Sequence, residues 1–313
     1  MTLTHSGTSD AALGVMWKVL SAFVFTIMLT LVKVVGERVP VGEVLFARNF
    51  FGLLPVLVIV LWTHHLHDAL RTEYFWGHMR RAVIGMVAMG MWFAALQRLS
   101  LPEATSIVYV APLMMVVFAF FLLGERVRVY RWTAVAVGFL GVIVILLPQI
   151  RTGFDVANDA AALGALFALC AAVFMALASV FVRQLATREP TITVVLYFLI
   201  AGSALSLATL PTWTVPSATD AVLLVLIGVI GGVGQLLLTK AYQHAEASFI
   251  APFEYTSMIW VVAFGYAVFG ELPTINVIIG AAIVIMAGIF VIFRERQLGL
   301  ARAERKVGAP LRP

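Results

Sequence analysis

The segment Tyr109–Glu125, YVAPLMMVVFAFFLLGE, returns later in the chain as Tyr255–Glu271, YTSMIWVVAFGYAVFGE. Both segments begin with tyrosine, continue through an apolar run and end in Gly-Glu in the same register. Such internal similarity indicates two copies of one structural unit. In a membrane protein, two related halves are typical of carriers, because a pathway that opens alternately to two sides is easily built from them.

Two shorter matches extend the repeat toward the start of each half. One is a basic residue followed seven positions later by proline, and the other is a tripeptide that begins with alanine and ends with glutamine. The first half carries Lys33 with Pro40 and also Ala95–Gln97, and the second carries Arg183 with Pro190 and also Ala241–Gln243.

The composition excludes a soluble domain. Apolar residues make up 62% of the 313 residues, charged residues only 12%, and the mean hydropathy is +1.02. A helix crosses a bilayer core with roughly 17 to 25 residues, and ten apolar stretches reach this length if the shorter ones borrow polar flanks. The ten predicted spans are Leu13–Val35, Val41–Trp62, Ala82–Leu96, Ala104–Leu123, Trp132–Leu147, Ala160–Val182, Thr191–Leu210, Ala221–Thr239, Phe249–Phe269 and Ile275–Phe293.

The repeat predicts the domain organisation. If each copy holds five helices, an odd number, the second copy enters the membrane from the opposite side, and the two form an inverted repeat. We therefore predict an all-α membrane protein of ten transmembrane helices in two inverted five-helix repeats. Its parts are a cytoplasmic N-terminal segment at 1–12, a first repeat at 13–147, a connecting loop at 148–159, a second repeat at 160–293 and a basic cytoplasmic tail at 294–313.

The basic residues predict the orientation. About 15 of the 21 Lys and Arg residues fall on one side of the predicted spans, which places both termini in the cytoplasm. The other side carries only Arg38, Arg98 and Arg151, while Lys18, Lys33 and Arg48 lie within spans. Contact with anionic lipid explains the net charge of +5, so we expect a lipid partner and no nucleic acid. The first span lacks a basic cluster before it and a clear cleavage site after it, so we expect it to be retained.

These features resemble one family of membrane proteins. The Gly-Glu that closes the fourth and ninth spans, the Leu45–Asn49 segment LFARN and the Ala251–Thr256 segment APFEYT are similar to the EamA family of the drug/metabolite transporter superfamily. The resemblance runs from about Leu13 to Phe293. One departure is Val110–Pro112, VAP, where many members carry an acidic residue before the proline.

The resemblance implies a ten-helix carrier of the bacterial inner membrane that moves small organic solutes. Its central cavity would be lined mainly by the first, third, fourth, sixth, eighth and ninth spans. The family includes exporters of amino acids and other metabolites and importers of S-adenosylmethionine and riboflavin. The APFEYT form of the ninth span is closest to the branch of these two importers, although substrate does not follow from membership.

Glu254 is the main candidate for a functional charge inside the membrane. An ionisable side chain at depth costs about 3 kcal/mol on the more modest scales, so it needs a partner or a wet cavity. Glu254 lies a few residues into the ninth span, two positions after Pro252. It is interpreted either as a proton acceptor or counter-ion to a cationic group, or as half of a buried pair with a neighbouring helix.

Four other charged residues are structural or gating candidates. Arg48 is interpreted mainly as a structural lock, since Glu43 is an imperfect partner five positions earlier and the resemblance places the second span mostly outside the cavity. Lys33 and Arg183 close related helices at opposite faces, where they either snorkel to the interfaces or gate the pathway. Lys240 is interpreted as an interfacial anchor. Glu125 and Glu271 are predicted to order loops.

Aromatic, thioether and amide side chains mark a candidate cavity. A planar or amphipathic solute would be held there by stacking or cation–π contacts, and a buried amide needs partners. Together with Glu254, the candidates are Trp17, Phe25, Met89, Trp92, Phe93, Tyr109, Phe174, Met175, Gln235, Tyr255 and Trp260.

The absence of ATP-binding and catalytic motifs from the sequence limits the classes of function. No ATP-binding Gly-rich loop occurs, so we expect a secondary transporter by alternating access, either facilitated or coupled to an ion such as the proton. An enzyme is disfavoured because no catalytic motif occurs, and His64, His65, His67 and His78 are predicted to share one inner loop. The single Cys170 excludes a disulfide within the chain, and we expect no metal and no cofactor. An exporter of the same fold, a non-transporting sensor or structural protein, and homodimerisation remain open.

Overall fold

The computed structural model is mainly helical in the part of the chain that it describes, residues 6–63, 70–123, 129–151, 159–245 and 250–307. Strands are absent from these ranges. The α-helices are α1 (Ser6–Val35), α2 (Val41–Phe50), α3 (Leu53–Thr63), α4 (Phe75–Leu96), α5 (Leu101–Val108), α6 (Ala111–Leu123), α7 (Val129–Ile145), α8 (Leu147–Arg151), α9 (Ala160–Ala186), α10 (Thr191–Ser206), α11 (Ala218–His244), α12 (Ser257–Phe269) and α13 (Ile275–Val307). Three 3₁₀ helices cover Gly36–Arg38, Leu207–Thr212 and Ala251–Thr256.

Seven of the described helical segments are long and apolar enough to cross a membrane. They are Ala12–Val35, Val41–Trp62, Phe75–Leu96, Leu101–Leu122, Ala160–Ala186, Thr191–Thr212 and Ala218–His244. Three shorter apolar helices cover Trp132–Ile145, Phe253–Phe269 and Ile275–Phe290. The all-α fold class is therefore confirmed for the described residues, and each of these segments overlaps one predicted span.

One error in the predicted boundaries affects the site, and it is at the third span. The prediction started it at Ala82, but α4 begins at Phe75, so His78 and Arg81 lie inside a helix and not in an inner loop. Their side chains are buried, because neighbouring helices cover the face of α4 that carries them. The predicted loop residues His64, His65 and His67 lie outside the described residues, as does the predicted loop-ordering Glu125.

The first and last helices are longer than the predicted first and last spans. The first helix begins at Ser6, inside the predicted N-terminal segment 1–12, and α13 continues to Val307 through most of the predicted basic tail. The predicted connecting loop 148–159 starts within α8, and its residues 152–158 lie outside the described part.

The helix ends follow ordinary capping chemistry. The Ser100 side chain accepts a hydrogen bond from the Glu103 N–H at the start of α5, and Asp159 does the same for α9 with Ala161. At its C-terminal end, α12 stops at Gly270, which adopts the left-handed conformation with φ of 67°. The second Gly-Glu pair of the repeat, at 270–271, therefore ends a helix and turns the chain.

Three long helix pairs dominate the packing. Helix α1 packs along α11, α4 along α9, and α7 along α13. Small residues permit the close approach: a Cβ on Gly141 of α7 would lie 2.8 Å from the carbonyl oxygen of Gly280 on α13. Helices of the first half thus pack against helices of the second half.

Candidate functional site

A cavity of about 230 Å³ lies between the two halves of the chain. Its walls come from α1, α2, α4, α5 and α6 of the first half and from α9, α10, α11, the Ala251–Thr256 turn and α12 of the second. Most lining residues are apolar. Concave apolar sites with a few convergent polar groups are the usual form of a small-molecule site.

Helix α1 contributes a lysine to the cavity. Lys18, Ala22, Phe25 and Leu29 recur every three or four residues, so they share one helical face, and all line the cavity. The Lys18 ammonium donates to the Glu254 carboxylate and forms an ion pair with it. The Lys18 side chain is 6% exposed, whereas that of Glu254 is 36% exposed. The Glu254 carboxylate is therefore accessible to water, while the Lys18 ammonium remains buried.

Arg48 on α2 enters the cavity from another side and is 2% exposed. Its Nη1 donates to Asn49 Oδ1 at 3.1 Å, and its Nη2 donates to Gln235 Oε1 at 3.2 Å. Its Nε is buried and has no acceptor among the described residues. Glu43 does not form an ion pair with this arginine, and its carboxylate accepts the Thr214 N–H at 3.2 Å.

Arg81 on α4 is a second buried arginine in the lining, 5% exposed. Its guanidinium carbon lies 3.4 Å from the centroid of the Phe198 ring, and that of Arg48 lies 5.4 Å from the same centroid. The Nε and Nη1 atoms of Arg81 have no acceptor among the described residues. The two guanidinium groups therefore lie near each other on one aromatic ring.

Tyr109 forms part of the cavity wall near α12, and Tyr255 packs behind it. The Tyr109 hydroxyl lies 2.9 Å from Ser257 Oγ, and the Tyr109 ring meets the Tyr255 ring edge-on at 5.2 Å. Pro112, one turn after Tyr109, cannot donate a backbone hydrogen bond, and the helix is interrupted between α5 and α6. Tyr109 lies at this interruption and lines the cavity.

Most of the predicted cavity residues lie on its wall. The residues that line it are Phe25, Met89, Trp92, Phe93, Tyr109, Met175, Gln235 and Glu254. They come from α1, α4, α5, α9, α11 and the 3₁₀ turn, which are the spans that the family resemblance implied. The lining also includes Arg48 and Phe198 from two further spans.

Four predicted cavity residues are not on the wall. Trp17 lies under the Lys240 ammonium, 4.5 Å from its ring centroid, and Trp260 packs on Phe23 at 4.8 Å with 36% of its surface exposed. Phe174 precedes Met175 by one residue and so points about 100° away around the helix. Tyr255 lies behind Tyr109 and is buried. Aromatic identity alone did not indicate which face of a helix each side chain occupies.

Sequence reasoning missed several lining residues. Lys18, Arg81, Phe198 and Tyr242 were assigned no role, although each lies in the cavity wall. Helical spacing could have found Arg81, since Arg81, Gly85 and Met89 recur at intervals of four. Phe198 carried no signal, because its span is apolar on every side.

At one end of the bundle, Lys33 joins three elements. Its Nζ donates to the Leu99 carbonyl at 2.7 Å and lies 3.2 Å from Glu271 Oε1. Glu271 Oε2 in turn accepts the Leu101 N–H at 2.9 Å at the start of α5. Lys33 is one turn beyond Leu29 on α1, so this Lys33–Glu271 contact lies directly past the cavity wall.

A second ion pair lies at the same end. Arg38 donates to Asp220 Oδ1 with its Nη2 at 2.7 Å and its Nε at 3.1 Å. Hydrogen bonding to this carboxylate raises the pKa of the Arg38 guanidinium. Arg38 is exposed, so the contact links the Gly36–Arg38 turn to α11 at the surface.

At the other end, α4 is tied to the chain after α9. His78 Nε2 lies 3.0 Å from Glu189 Oε2, the Thr72 hydroxyl donates to the same carboxylate group, and the His78 ring stacks on Tyr197 at 4.6 Å. His78 is thus a buried packing residue with a carboxylate partner. The gating candidate Arg183 lies in the last turn of α9, near this end.

The EamA-like transporter family matches residues 12–147 and again residues 162–294. The S-adenosylmethionine uptake transporter of Rickettsia prowazekii is 27% identical over 285 residues, covering 91% of this chain and 94% of the relative. The pseudopaline exporter CntI of Pseudomonas aeruginosa is 30% identical over 277 residues, covering 88% and 94%. The riboflavin transporter of Rhizobium johnstonii is 28% identical over 300 residues, covering 95% of each chain.

A solved crystal structure has the same fold. It is 21% identical in sequence, superposes with a TM-score of 0.65, and the alignment covers 94% of this chain and 99% of the other. A likeness at this identity concerns the fold alone.

Proposed function

The chain belongs to the EamA-like transporter family, and on that premise we propose that it is a secondary transporter that moves a small organic metabolite by alternating access. Its family and its named relatives support a multi-pass membrane transporter rather than an enzyme. We place it in the bacterial inner membrane with both termini in the cytoplasm.

The observation that carries this proposal is the charged cavity between the two halves. Lys18, Arg48, Arg81 and Glu254 all project into it, from four separate elements of both halves. Charges inside a membrane protein are costly and mark substrate or ion pathways. A sealed sensor or structural protein would have no use for such a cavity.

The packing pattern supports a ten-span arrangement in two inverted repeats. In that arrangement α1 corresponds to α9, and α4 corresponds to α11. The observed pairs α1 with α11 and α9 with α4 are then the same contact made twice, with the halves exchanged. Substrate sites of inverted-repeat transporters lie at the interface of the repeats near the middle of the membrane.

The end contacts suggest how access alternates. The Lys33–Glu271 contact holds α1, α5 and the end of α12 together at the end that we assign to the outside. Breaking it would let these elements separate and connect the cavity to that side. Glu254, partly exposed and paired with Lys18, is the group that we propose for proton coupling, because its protonation would release the lysine.

The named relatives limit the substrate to a small organic metabolite, but their names differ in the direction of transport. Two are named for uptake or transport of S-adenosylmethionine and riboflavin, and one is named as an exporter of pseudopaline. The exporter is as similar to this chain as the others, which keeps net export as the second candidate direction. A cavity of about 230 Å³ fits a small metabolite in either case.

The direct test is uptake into proteoliposomes of S-adenosylmethionine, riboflavin and aromatic amino acids, each with and without an imposed pH gradient. Saturable uptake of one solute that the gradient accelerates is the expected result for a proton-coupled importer. Saturable uptake whose rate does not change with the pH gradient would contradict the proposal of proton coupling. If only vesicles loaded with solute release it, the direction is export.

A further inference from the structure

The cavity contains more positive charge than its own residues balance. Its lining holds three cationic side chains and one carboxylate, that of Glu254. This carboxylate is already occupied by Lys18. Arg48 and Arg81 therefore face the cavity without an acidic partner.

Other carboxylates do not supply the missing charge. In the ranges that the structure describes, ion pairs within 4.0 Å connect Lys18 with Glu254, Lys33 with Glu271, Arg38 with Asp220 and His78 with Glu189, and none includes Arg48 or Arg81. The nearest acid in sequence to Arg48, Glu43, accepts the backbone N–H of Thr214 and forms no ion pair with this arginine. Among the described residues, Arg48 donates hydrogen bonds only to two neutral amide oxygens, those of Asn49 and Gln235.

Leaving these donors unused would be expensive. A buried charge without a partner destabilises a protein strongly, and each buried N–H that lacks an acceptor adds a desolvation cost. Three such donors lie together here: the Nε of Arg48 and the Nε and Nη1 of Arg81. An anion in the cavity would balance the charge of the two guanidinium groups.

We infer that the cavity binds a small organic anion whose carboxylate or phosphate oxygens accept hydrogen bonds from Arg48 and Arg81. This inference rests on the proposed transport function and specifies its substrate class. Guanidinium groups suit both oxyanions, because their planar donors match the acceptor geometry and their charge is permanent. The apolar part of the ligand lies against the aromatic wall formed by Phe25, Trp92 and Phe93.

Phe198 prepares the site for such a ligand. Its ring lies under both guanidinium groups, at 3.4 Å from Arg81 and 5.4 Å from Arg48, and cation–π contact holds each cation without using its hydrogen-bond donors. Gly85, one turn from Arg81, leaves the room that this arrangement needs, since a Cβ there would lie 3.0 Å from both Arg81 Nη1 and Phe198 Cε2.

The test measures ligand-induced thermal stabilisation of the full chain in detergent. The probes are benzylsuccinate, phenyl phosphate and benzylsuccinamide, which is a neutral analogue of the first. We expect at least one of the two anions to raise the unfolding temperature in a saturable way and the amide to have no effect. Stabilisation by benzylsuccinate alone assigns a carboxylate ligand, and stabilisation by phenyl phosphate alone assigns a phosphate ligand.

The matched variants are Arg81→Met and Arg80→Met, on adjacent positions of α4. Arg80 is exposed and bonds Gln184, so its loss should leave the anion affinity unchanged. Loss of Arg81 should weaken anion binding at least tenfold. It should also raise the unfolding temperature of the ligand-free protein, because an uncompensated buried charge is removed. A purely structural arginine would lower it instead.

Three results would overturn the inference: equal stabilisation by the amide and the acid, no stabilisation by either anion, or full anion affinity in Arg81→Met. These results leave the transport function standing, since a carrier of neutral or cationic solutes would give them. The transport function itself fails differently, when wild-type proteoliposomes move no solute of any charge.

Discussion

At the scale of single residues, the Lys18–Glu254 pair is the contact most suited to couple transport to protons. The carboxylate is partly exposed and the ammonium is buried, so a proton can reach Glu254 from the cavity. Protonation would cancel the attraction and leave Lys18 in a desolvated position. The state of one carboxyl group would thus change the contact between α1 and the turn before α12.

Replacing Glu254 with Gln should remove any pH dependence of transport. The amide keeps the size of the side chain but cannot exchange a proton, and it leaves Lys18 without a counter-ion. We also expect a loss of stability of about 2 kcal/mol, less than for a fully buried pair because Glu254 is partly exposed. The measurement is solute exchange in proteoliposomes between pH 5.5 and 8, together with thermal unfolding.

The matched control is Glu43→Gln, which makes the same change at a buried acid that lies outside the cavity wall. Its pH dependence should equal that of the wild type. Transport by Glu254→Gln that still follows the pH gradient would exclude Glu254 as the coupling group.

At the scale of helices, close packing of α11 against the junction of α2 and α3 depends on glycine. A Cβ on Gly232 would overlap the carbonyl oxygen of Gly52 and lie 2.8 Å from Pro55 Cγ. Backbone atoms at a helix junction cannot move aside as a flexible side chain can. This interface joins the two halves, so its tightness affects both.

Gly232→Ala should therefore destabilise the protein by about 1–3 kcal/mol through overpacking. Gly90→Ala on α4 is the control, because the nearest heavy atom to its Cβ is Leu45 Cδ1 at an ordinary 3.5 Å. That control should be neutral or gain up to about 1 kcal/mol in helix stability. Equal unfolding temperatures for the two variants in detergent would contradict the packing account.

The sequence predicts the helices better than it predicts their faces. Apolar runs and the tyrosine-to-Gly-Glu repeat place the helical segments, because length and hydropathy depend on the span as a whole. The sequence misplaces the start of α4, because His78, Arg80 and Arg81 together are typical of a polar loop. Tertiary contacts nevertheless bury His78 and Arg81. Likewise Trp260 and Trp92 cannot be told apart by residue type, and only packing sends one outward and the other to the cavity.

At the scale of the whole molecule, the Lys33–Glu271 contact is the proposed barrier on one side of the cavity. It draws together α1, the start of α5 and the end of α12. The account requires this barrier to open during transport, as the opposite end closes. Its strength therefore sets how often the cavity faces that side.

Lys33→Met should increase access to the cavity from that side, while the Glu271 bond to the Leu101 N–H is preserved. In a background with Cys170 changed to Ala, a cysteine in place of Thr105 on the cavity wall would report access. We expect an impermeant maleimide added from the Lys33 side to label it several-fold faster once Lys33 is replaced. An unchanged labelling rate would remove the contact from the gating mechanism.

The central claim is that this chain carries a metabolite across a membrane, and release of solutes from loaded vesicles tests it without assuming the substrate. Proteoliposomes would be filled with a small-molecule extract of bacterial cells, and the outer buffer would be followed by mass spectrometry against protein-free vesicles. We predict that one or a few solutes appear only with the wild-type protein, and that an organic anion among them is retained by Arg81→Met but released by Arg80→Met. Identical profiles from wild-type and protein-free vesicles would contradict the claim that the chain is a carrier.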